Sequence, residues 1–247
     1  MRLTILGCGD AFSSGGRFSS SYLIDSVDKR FLLDCGPSIL PAIKRASIDP
    51  NGIPLIFISH LHGDHIAGLP FFVLDAMFQS MRAAPLTIIG PPGLEARFRL
   101  ACEVFYPRFF DMPLPFELNF VEIDKSVRRE FGGIGVTPFE MNHFSGSPSF
   151  ALRFDLEGKI FAFSGDSGWT DNVIHAGKGA DLYLIECCHY DLQLPMHLDY
   201  LTIAKNFDRI GADKLVLTHM CEGMLARHGD VNKARCILAE DGMVIDI

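Results

Sequence analysis

Residues His60-Leu61-His62-Gly63-Asp64-His65, directly after the apolar run Leu55-Ile56-Phe57-Ile58, decide how this chain is read. His60 and His62 stand two positions apart, so an extended or loop backbone turns both imidazoles to the same side. A further turn of chain brings Asp64 and His65 to an adjacent position. Imidazole nitrogen and carboxylate oxygen suit zinc, manganese or iron, whereas clustered thiolates would indicate a structural zinc or an iron–sulfur cluster. The hexapeptide therefore reads as a metal site, and its donor count suggests two metals.

Composition bounds what surrounds it. A chain of 247 residues with 48% hydrophobic content is long enough for one large domain with a substantial core and leaves no obvious room for a second. A formal net charge of −8 argues against a broadly basic nucleic-acid footprint. The cysteines Cys8, Cys35, Cys102, Cys187, Cys188, Cys221 and Cys236 are an odd set with no Cys-x-x-Cys pair, and read as free buried thiols in a reducing cytosol. Leu3-Thr4-Ile5-Leu6 reads as a strand rather than part of a signal peptide, and no apolar run is long enough to cross a bilayer. The expectation is a soluble cytoplasmic protein with no membrane partner.

Short β-rich segments fill the first third: Leu3–Leu6, Ser21–Ile24, Arg30–Leu33 and Leu55–Ile58, separated by Gly, Ser and Asp. Ile66–Met81 reads as a helix, Leu86–Ile89 as a strand closed by Gly90-Pro91-Pro92-Gly93, and Leu94 to about Phe105 as a second helix. Strands follow near Asn119–Ile123, Gly135–Glu140, Phe150–Phe154 and Lys159–Phe163. Leu182–Ile185 and Leu215–Leu217 are buried strands with a helix, Tyr200–Ile210, between them. Strands then helices, twice over, suggest two sheets packed face to face with helices outside, an α/β architecture. The loop Ser13–Ser21 is either a plain mobile connection or a phosphate cradle of backbone amides with Arg17 as its cation. The Phe-rich stretches Leu69–Met81 and Phe105–Phe110 fit core packing, with a subunit contact as the alternative.

A two-metal site needs more donors than one hexapeptide supplies, and they stand where apolar strands run out. His143 follows Gly135–Glu140, Asp166 lies in Ser164-Gly165-Asp166-Ser167 after Phe161–Phe163, and His219 closes Leu217-Thr218-His219.

These pieces, with Leu6-Gly7-Cys8-Gly9, Leu32-Leu33-Asp34-Cys35-Gly36, Ile66-Ala67-Gly68-Leu69 and Asn142-His143, resemble the metallo-β-lactamase superfamily over nearly the whole length. The resemblance is to its phosphodiesterase branch, with ribonuclease Z and the phosphoribosyl cyclic phosphate phosphodiesterase. It implies an αββα four-layer sandwich. It also implies His60, His62 and His143 on one metal, Asp64, His65 and His219 on the other, and Asp166 bridging. Asp34 would orient a ligand histidine. Two divalent ions are implied, zinc first, with manganese or iron accepted by the same donors. Homologues in this branch commonly pair, so a homodimer is the quaternary form to test.

The segment Ile185-Glu186-Cys187-Cys188-His189, followed by Met196-His197-Leu198-Asp199, resembles the place where these phosphodiesterases carry a non-ligand histidine paired with an acid. On that reading His197 protonates the leaving alkoxide, and Glu186 orients it and favours its charged form. The alternative for His197 is a histidine at the start of the following helix. His189 reads as either a partner of the site or a packed residue, and His175 and His228 as surface residues. Asp64, by the same family analogy, orients the attacking hydroxide as well as ligating.

Ribonuclease Z usually inserts a long RNA-gripping arm between the third and fourth metal motifs. Here His143 and Asp166 are separated by only enough chain for two strands and a turn. The expected substrate is therefore a small phosphodiester, cyclic or nucleotide-derived, rather than transfer RNA. The alternatives are a transfer-RNA 3′ processing endonuclease, a lactone or thioester hydrolase, and a non-hydrolytic metal protein. The cyclic-ribose enzyme's cysteine-rich N-terminal zinc site has no counterpart here.

Overall fold

Strands buried on both faces need apolar side chains at every position, and the apolar runs of this chain meet that demand twice, in two seven-stranded sheets. The computed structural model describes residues 1–247. The first half contributes β1 (Arg2–Gly7), β2 (Ser21–Asp25), β3 (Arg30–Leu33), α1 (Ile39–Arg45), β4 (Leu55–Phe57), α2 (Gly63–Ile66), α3 (Leu69–Phe78), β5 (Leu86–Gly90), α4 (Leu94–Phe105) and β6 (Leu118–Glu122). The second half contributes β7 (Arg129–Phe131), β8 (Ile134–Met141), β9 (Ser149–Leu156), β10 (Lys159–Phe163), α5 (Asp171–Gly177), β11 (Leu182–Glu186), α6 (Tyr200–Lys205), α7 (Phe207–Ile210), β12 (Lys214–Thr218), α8 (Glu222–Leu225), β13 (Ile237–Leu238) and β14 (Val244–Asp246).

The sheets run β14-β1-β2-β3-β4-β5-β6 and β13-β12-β11-β10-β9-β8-β7. From β3 to β6 and from β10 to β13 neighbouring strands are parallel; the other pairs are antiparallel. Alternation along each strand divides the core into three interfaces, the number that four layers require. Leu3, Ile5, Phe31, Leu33, Phe57, Phe154, Phe161 and Leu184 face inward between the sheets. Leu32, Ile56 and Ile88 point outward beneath α1, α3 and α4 with Ile39, Phe72 and Phe98. Tyr183, Ile185 and Leu217 point outward on the other side, against Val173, Ile203 and Phe207. The αββα sandwich expected from the sequence is the fold observed.

Two helices differ from the expectation. Ile66–Met81 is not one helix, because the chain breaks between α2 and α3. Gly68 packs so closely on the Cys35-Gly36 backbone that a Cβ there would lie 2.2 Å from Gly36 O. Its N–H donates to Cys35 O at 2.9 Å, and Pro70 starts α3 afresh where its missing N–H costs nothing. Tyr200–Ile210 also divides, at Asn206, which leaves helical geometry and spends its side-chain amide on Thr202 O at 2.8 Å. Sequence periodicity missed α1 and α5, each seven residues long, and the short edge strands β7, β13 and β14.

The Ser13–Ser21 loop is neither free nor a cradle. Arg17 spends its guanidinium on Ala239 O at 2.9 Å and Cys8 Sγ at 3.6 Å, and Phe18 N–H donates to Asp241 at 2.7 Å. Leu69, Phe72, Val73, Ala76, Met77 and Phe109 of the Phe-rich stretches are core. All seven cysteines are free thiols, and all but Cys221 are buried.

Candidate metal centre

In a sheet, loops leaving the carboxyl ends of parallel strands gather at one rim. Asp34 leaves β3, the hexapeptide follows β4, Asp166 follows β10, Glu186 ends β11 and His219 follows β12. β8 runs in the same direction as β10, both being antiparallel to β9, so His143 joins them. The rim thus collects from both sheets every metal ligand expected from the sequence.

His60, His62 and His143 form one group of donors, and Asp64, His65, Asp166 and His219 a second; within each, the donor atoms lie within 4.8 Å of one another. Asp166 faces both: its Oδ2 is 3.8 Å from His60 Nε2, 3.9 Å from His143 Nε2 and 3.4 Å from His219 Nε2, and its Oδ1 is 3.4 Å from His65 Nε2. Asp64 Oδ2 is 3.2 Å from both His65 Nε2 and His219 Nε2.

Three of the rings, His60, His65 and His143, are aimed by hydrogen bonds on their far nitrogens. His65 Nδ1 donates to Asp34 Oδ2 at 2.6 Å, and His143 Nδ1 donates to Met196 O at 2.9 Å. Ser59 Oγ is 2.8 Å from Asp34 Oδ2 and 3.0 Å from His60 Nδ1. The hydroxyl has one proton and the carboxylate can only accept, so Ser59 donates to Asp34 and His60 Nδ1–H donates to Ser59. Asp34 therefore sets the tautomer of His65 directly and of His60 through Ser59. The sequence reading gave Asp34 one histidine and overlooked Ser59, although its hydroxyl stands immediately before the motif. Asp34 and His219 both have positive φ, 53° and 58°, the left-handed backbone that non-glycine residues keep only when neighbours hold it.

This arrangement fits divalent cations. Buried His60 Nε2 and His65 Nε2 have no hydrogen-bond partner. His143 Nε2 and His62 Nδ1 are 3.0 Å apart, within hydrogen-bond distance of each other. Unsatisfied nitrogens facing carboxylates are what metal ligands look like before the ion is counted. The fold's divalent-metal chemistry and this donor set agree.

Charge divides the groups. Burial, then neighbouring histidines, hold His60 well below its ordinary value; burial also lowers His62 and His143. His65 and His219 go the other way. Burial opposes their protonation, but Asp166 and Asp64 outweigh it, raising His65 well above its usual value and His219 to about 9. Asp166 in turn is held well below the carboxylate range, against burial, by His219, His65 and His60.

His197 lies over both groups. Its ring stacks on His219 at 5.8 Å between centroids and meets His143 edge-on at 5.0 Å, and its Nδ1 is 3.2 Å from Glu186 Oε2. Glu186 is buried and also accepts from the Ser167 and Leu198 amides. Glu186 stands beside His197 as expected, but the directions in which burial moves the two groups oppose a charged pair. Burial lowers His197, and burial followed by Asp166 pushes Glu186 well up. His175 is exposed on α5 and His228 lies half-buried beyond α8, both away from these groups.

A family model described as "Anti-Pycsar protein Apyc1" matches residues 1–244. The chain belongs to that family. Ribonuclease Z of Clostridium beijerinckii is 30% identical over 163 residues, which are 64% of this chain and 51% of that protein, so the chain spans about half the length of this relative. Ribonuclease Z of Mycobacterium bovis is 26% identical over 241 residues, 89% of this chain and 85% of the relative. The human short-form tRNase Z (ELAC1) structure superposes with a TM-score of 0.79 at 26% identity, covering 100% of this chain and 99% of that one. The metallo-beta-lactamase fold protein YhfI of Bacillus subtilis superposes with a TM-score of 0.78 at 21% identity over 99% of both chains, so the Apyc1-family chain has the metallo-β-lactamase fold.

Proposed function

We propose that the protein is a two-metal phosphodiesterase acting on a small phosphodiester, cyclic or nucleotide-derived. The observation that carries this reading is the His197–Glu186 pair set over both donor groups, because a leaving alkoxide needs a proton donor and a pure binding site does not. His60, His62 and His143 would hold one cation, Asp64, His65 and His219 the other, with Asp166 between them; zinc is the first expectation, and manganese or iron suit the same donors. Bound there, two divalent ions would lower the pKa of a water and neutralise charge on the non-bridging phosphate oxygens.

The chain's own residues do the rest. Asp64 orients the attacking water. His197, with Nδ1 towards Glu186, presents Nε2 to the leaving oxygen and gives up that proton, while Glu186 passes its own proton to Nδ1. The imidazole ends neutral, and no buried imidazolium is required. Such a donor contributes on the order of 10²–10⁴ in rate.

Size and charge support a small substrate. Between His143 and Asp166 the chain is only β9, β10 and short connections, with no inserted arm, and the net charge is −8. We read residues 1–247 as one hydrolase domain, and the unpaired thiols as those of a cytoplasmic protein. Transfer-RNA 3′ processing is the second reading, favoured by the similarity to ribonuclease Z of Mycobacterium bovis over 89% of this chain.

The test is turnover of bis(p-nitrophenyl) phosphate by protein loaded with zinc, manganese or iron, with His197→Ala and Asp166→Ala beside it. Wild-type turnover with loss of at least about a hundredfold in both variants is expected. Cyclic nucleotides and a precursor transfer RNA then separate the two readings. A wild type inert towards phosphodiesters but active on lactones or thioesters would replace both.

A further inference from the structure

We propose that Cys188, His189 and Cys221 form a third metal site, for one thiophilic divalent ion of the zinc class, built from residues outside the two donor groups assigned above. Their ligand atoms lie within 4.8 Å of one another, and Cys221 Sγ is 3.3 Å from His189 Nδ1. A tetrahedral zinc with Zn–S near 2.3 Å and Zn–N near 2.0 Å sets sulfur and nitrogen donors roughly 3.5 Å apart. The Cys221–His189 edge is close to that length, and the other two pairs lie within 4.8 Å.

The three backbones are held in place from two directions. Cys221 N–H donates to Cys188 O at 3.0 Å, His189 N–H donates to Leu198 O at 3.3 Å, and Tyr200 N–H donates to His189 O at 2.8 Å. Donors preorganised on fixed backbone lose little entropy on binding. Cys188 is buried, whereas His189 and Cys221 are partly exposed, so the fourth position is open to water. Binding involves no redox step: each thiol gives its proton to solvent, both sulfurs donate lone pairs to the ion, and two protons leave for each ion bound.

The location gives the ion a job. His219 stands two residues before Cys221, and His197 precedes Leu198, whose carbonyl His189 holds. One ion would therefore tie together the loops that present His197 and His219. The Cys188 thiol also lies within 4.8 Å of ring nitrogens of both histidines. Drawn onto the third ion, it is kept from competing for a catalytic cation.

Reduced, chelator-stripped full-length protein titrated with Co²⁺ tests this directly, because a thiolate-to-cobalt charge-transfer band in the near ultraviolet cannot arise from histidine and carboxylate donors alone. The wild type is expected to show the band, saturating at one ion, and to retain about three zinc ions per chain after reloading. Cys221→Ser should abolish the band and retain about two, whereas Cys236→Ser, at a thiol bonded to Asn232 O, should behave as wild type. If Cys221→Ser does not fold, His189→Gln gives the second reading: loss of the third equivalent with thiolate absorption weakened. A wild type without the band, or a band unchanged in Cys221→Ser, overturns the proposal. Neither readout depends on phosphodiesterase activity.

Discussion

Replacing Asp34 by Asn keeps the shape of a buried side chain and removes its charge. The backbone there sits at φ 53°, which asparagine tolerates as well as aspartate, so strain does not confound the result. The carboxylate accepts three bonds: from Ser59 N–H at 2.7 Å, Ser59 Oγ at 2.8 Å and His65 Nδ1 at 2.6 Å. An amide cannot do this. With its oxygen on Ser59 N–H, its NH₂ faces His65, which must move its proton to Nε2 and thereby lose the lone pair aimed at the ion. With the amide flipped, NH₂ opposes the Ser59 N–H and a buried donor is stranded. Either way the second cation loses affinity by about ten- to a hundredfold, or roughly 1.4–2.7 kcal/mol. The cost to stability is smaller, because burial already pushes the Asp34 carboxyl up and the neutral amide is spared that penalty. About 1.5 kcal/mol, or roughly 3–6 °C in Tm for a chain of this size, is expected for the metal-free protein. Zinc competition against a chromophoric chelator reads the affinity, and thermal unfolding of stripped protein reads the stability. If Tm falls and both ions bind within about threefold of wild type, Asp34 is only a packing residue and the tautomer argument fails.

Glu186→Gln should retain both catalytic ions and lower kcat by about ten- to a hundredfold with KM little changed, since the amide still orients His197 but cannot pass it a proton; equal loss of metal would contradict that assignment. Ion binding should be unevenly linked to pH. His65 and His219 are raised, His219 to about 9, so they carry protons at neutral pH and must shed them to ligate. Affinity at that side therefore rises with pH by up to about two decades per unit and levels off above those values, while the His60–His62–His143 side, with lowered values, stays nearly flat near neutrality. Calorimetry in buffers of different ionisation enthalpy counts the protons, and equal release at both sides would refute the division. Gly168→Ala should also be costly, because its Cβ would lie 1.9 Å from Pro195 O and displace the segment carrying Met196 and His197. A drop in kcat with metal content intact is expected, and wild-type kinetics would show that the segment yields without consequence.

The donors at the rim were legible because each is announced locally: three histidines and an aspartate packed after an apolar strand, and His143, Asp166 and His219 where later strands run out. The strands themselves were legible because burial on both faces demands unbroken apolar runs such as Leu55–Ile58 and Leu182–Ile185. Short elements such as α1 and β14 were not, since in a few residues periodicity has no room to emerge and packing decides instead. Chain pattern by itself therefore suggested two sheets with helices outside and a metal-binding character, while the family resemblance supplied the four-layer order and the division of the expected donors between two metals. Only the tertiary structure decided that Asp34 governs His65 directly and His60 through Ser59, that Arg17 is spent on Ala239, that Gly68 divides a helix, that burial lowers His197, and that Cys188 and His189 meet Cys221. Each of these rests on contacts between residues far apart in the chain, or on the low dielectric of a buried site, and neither is written in local sequence.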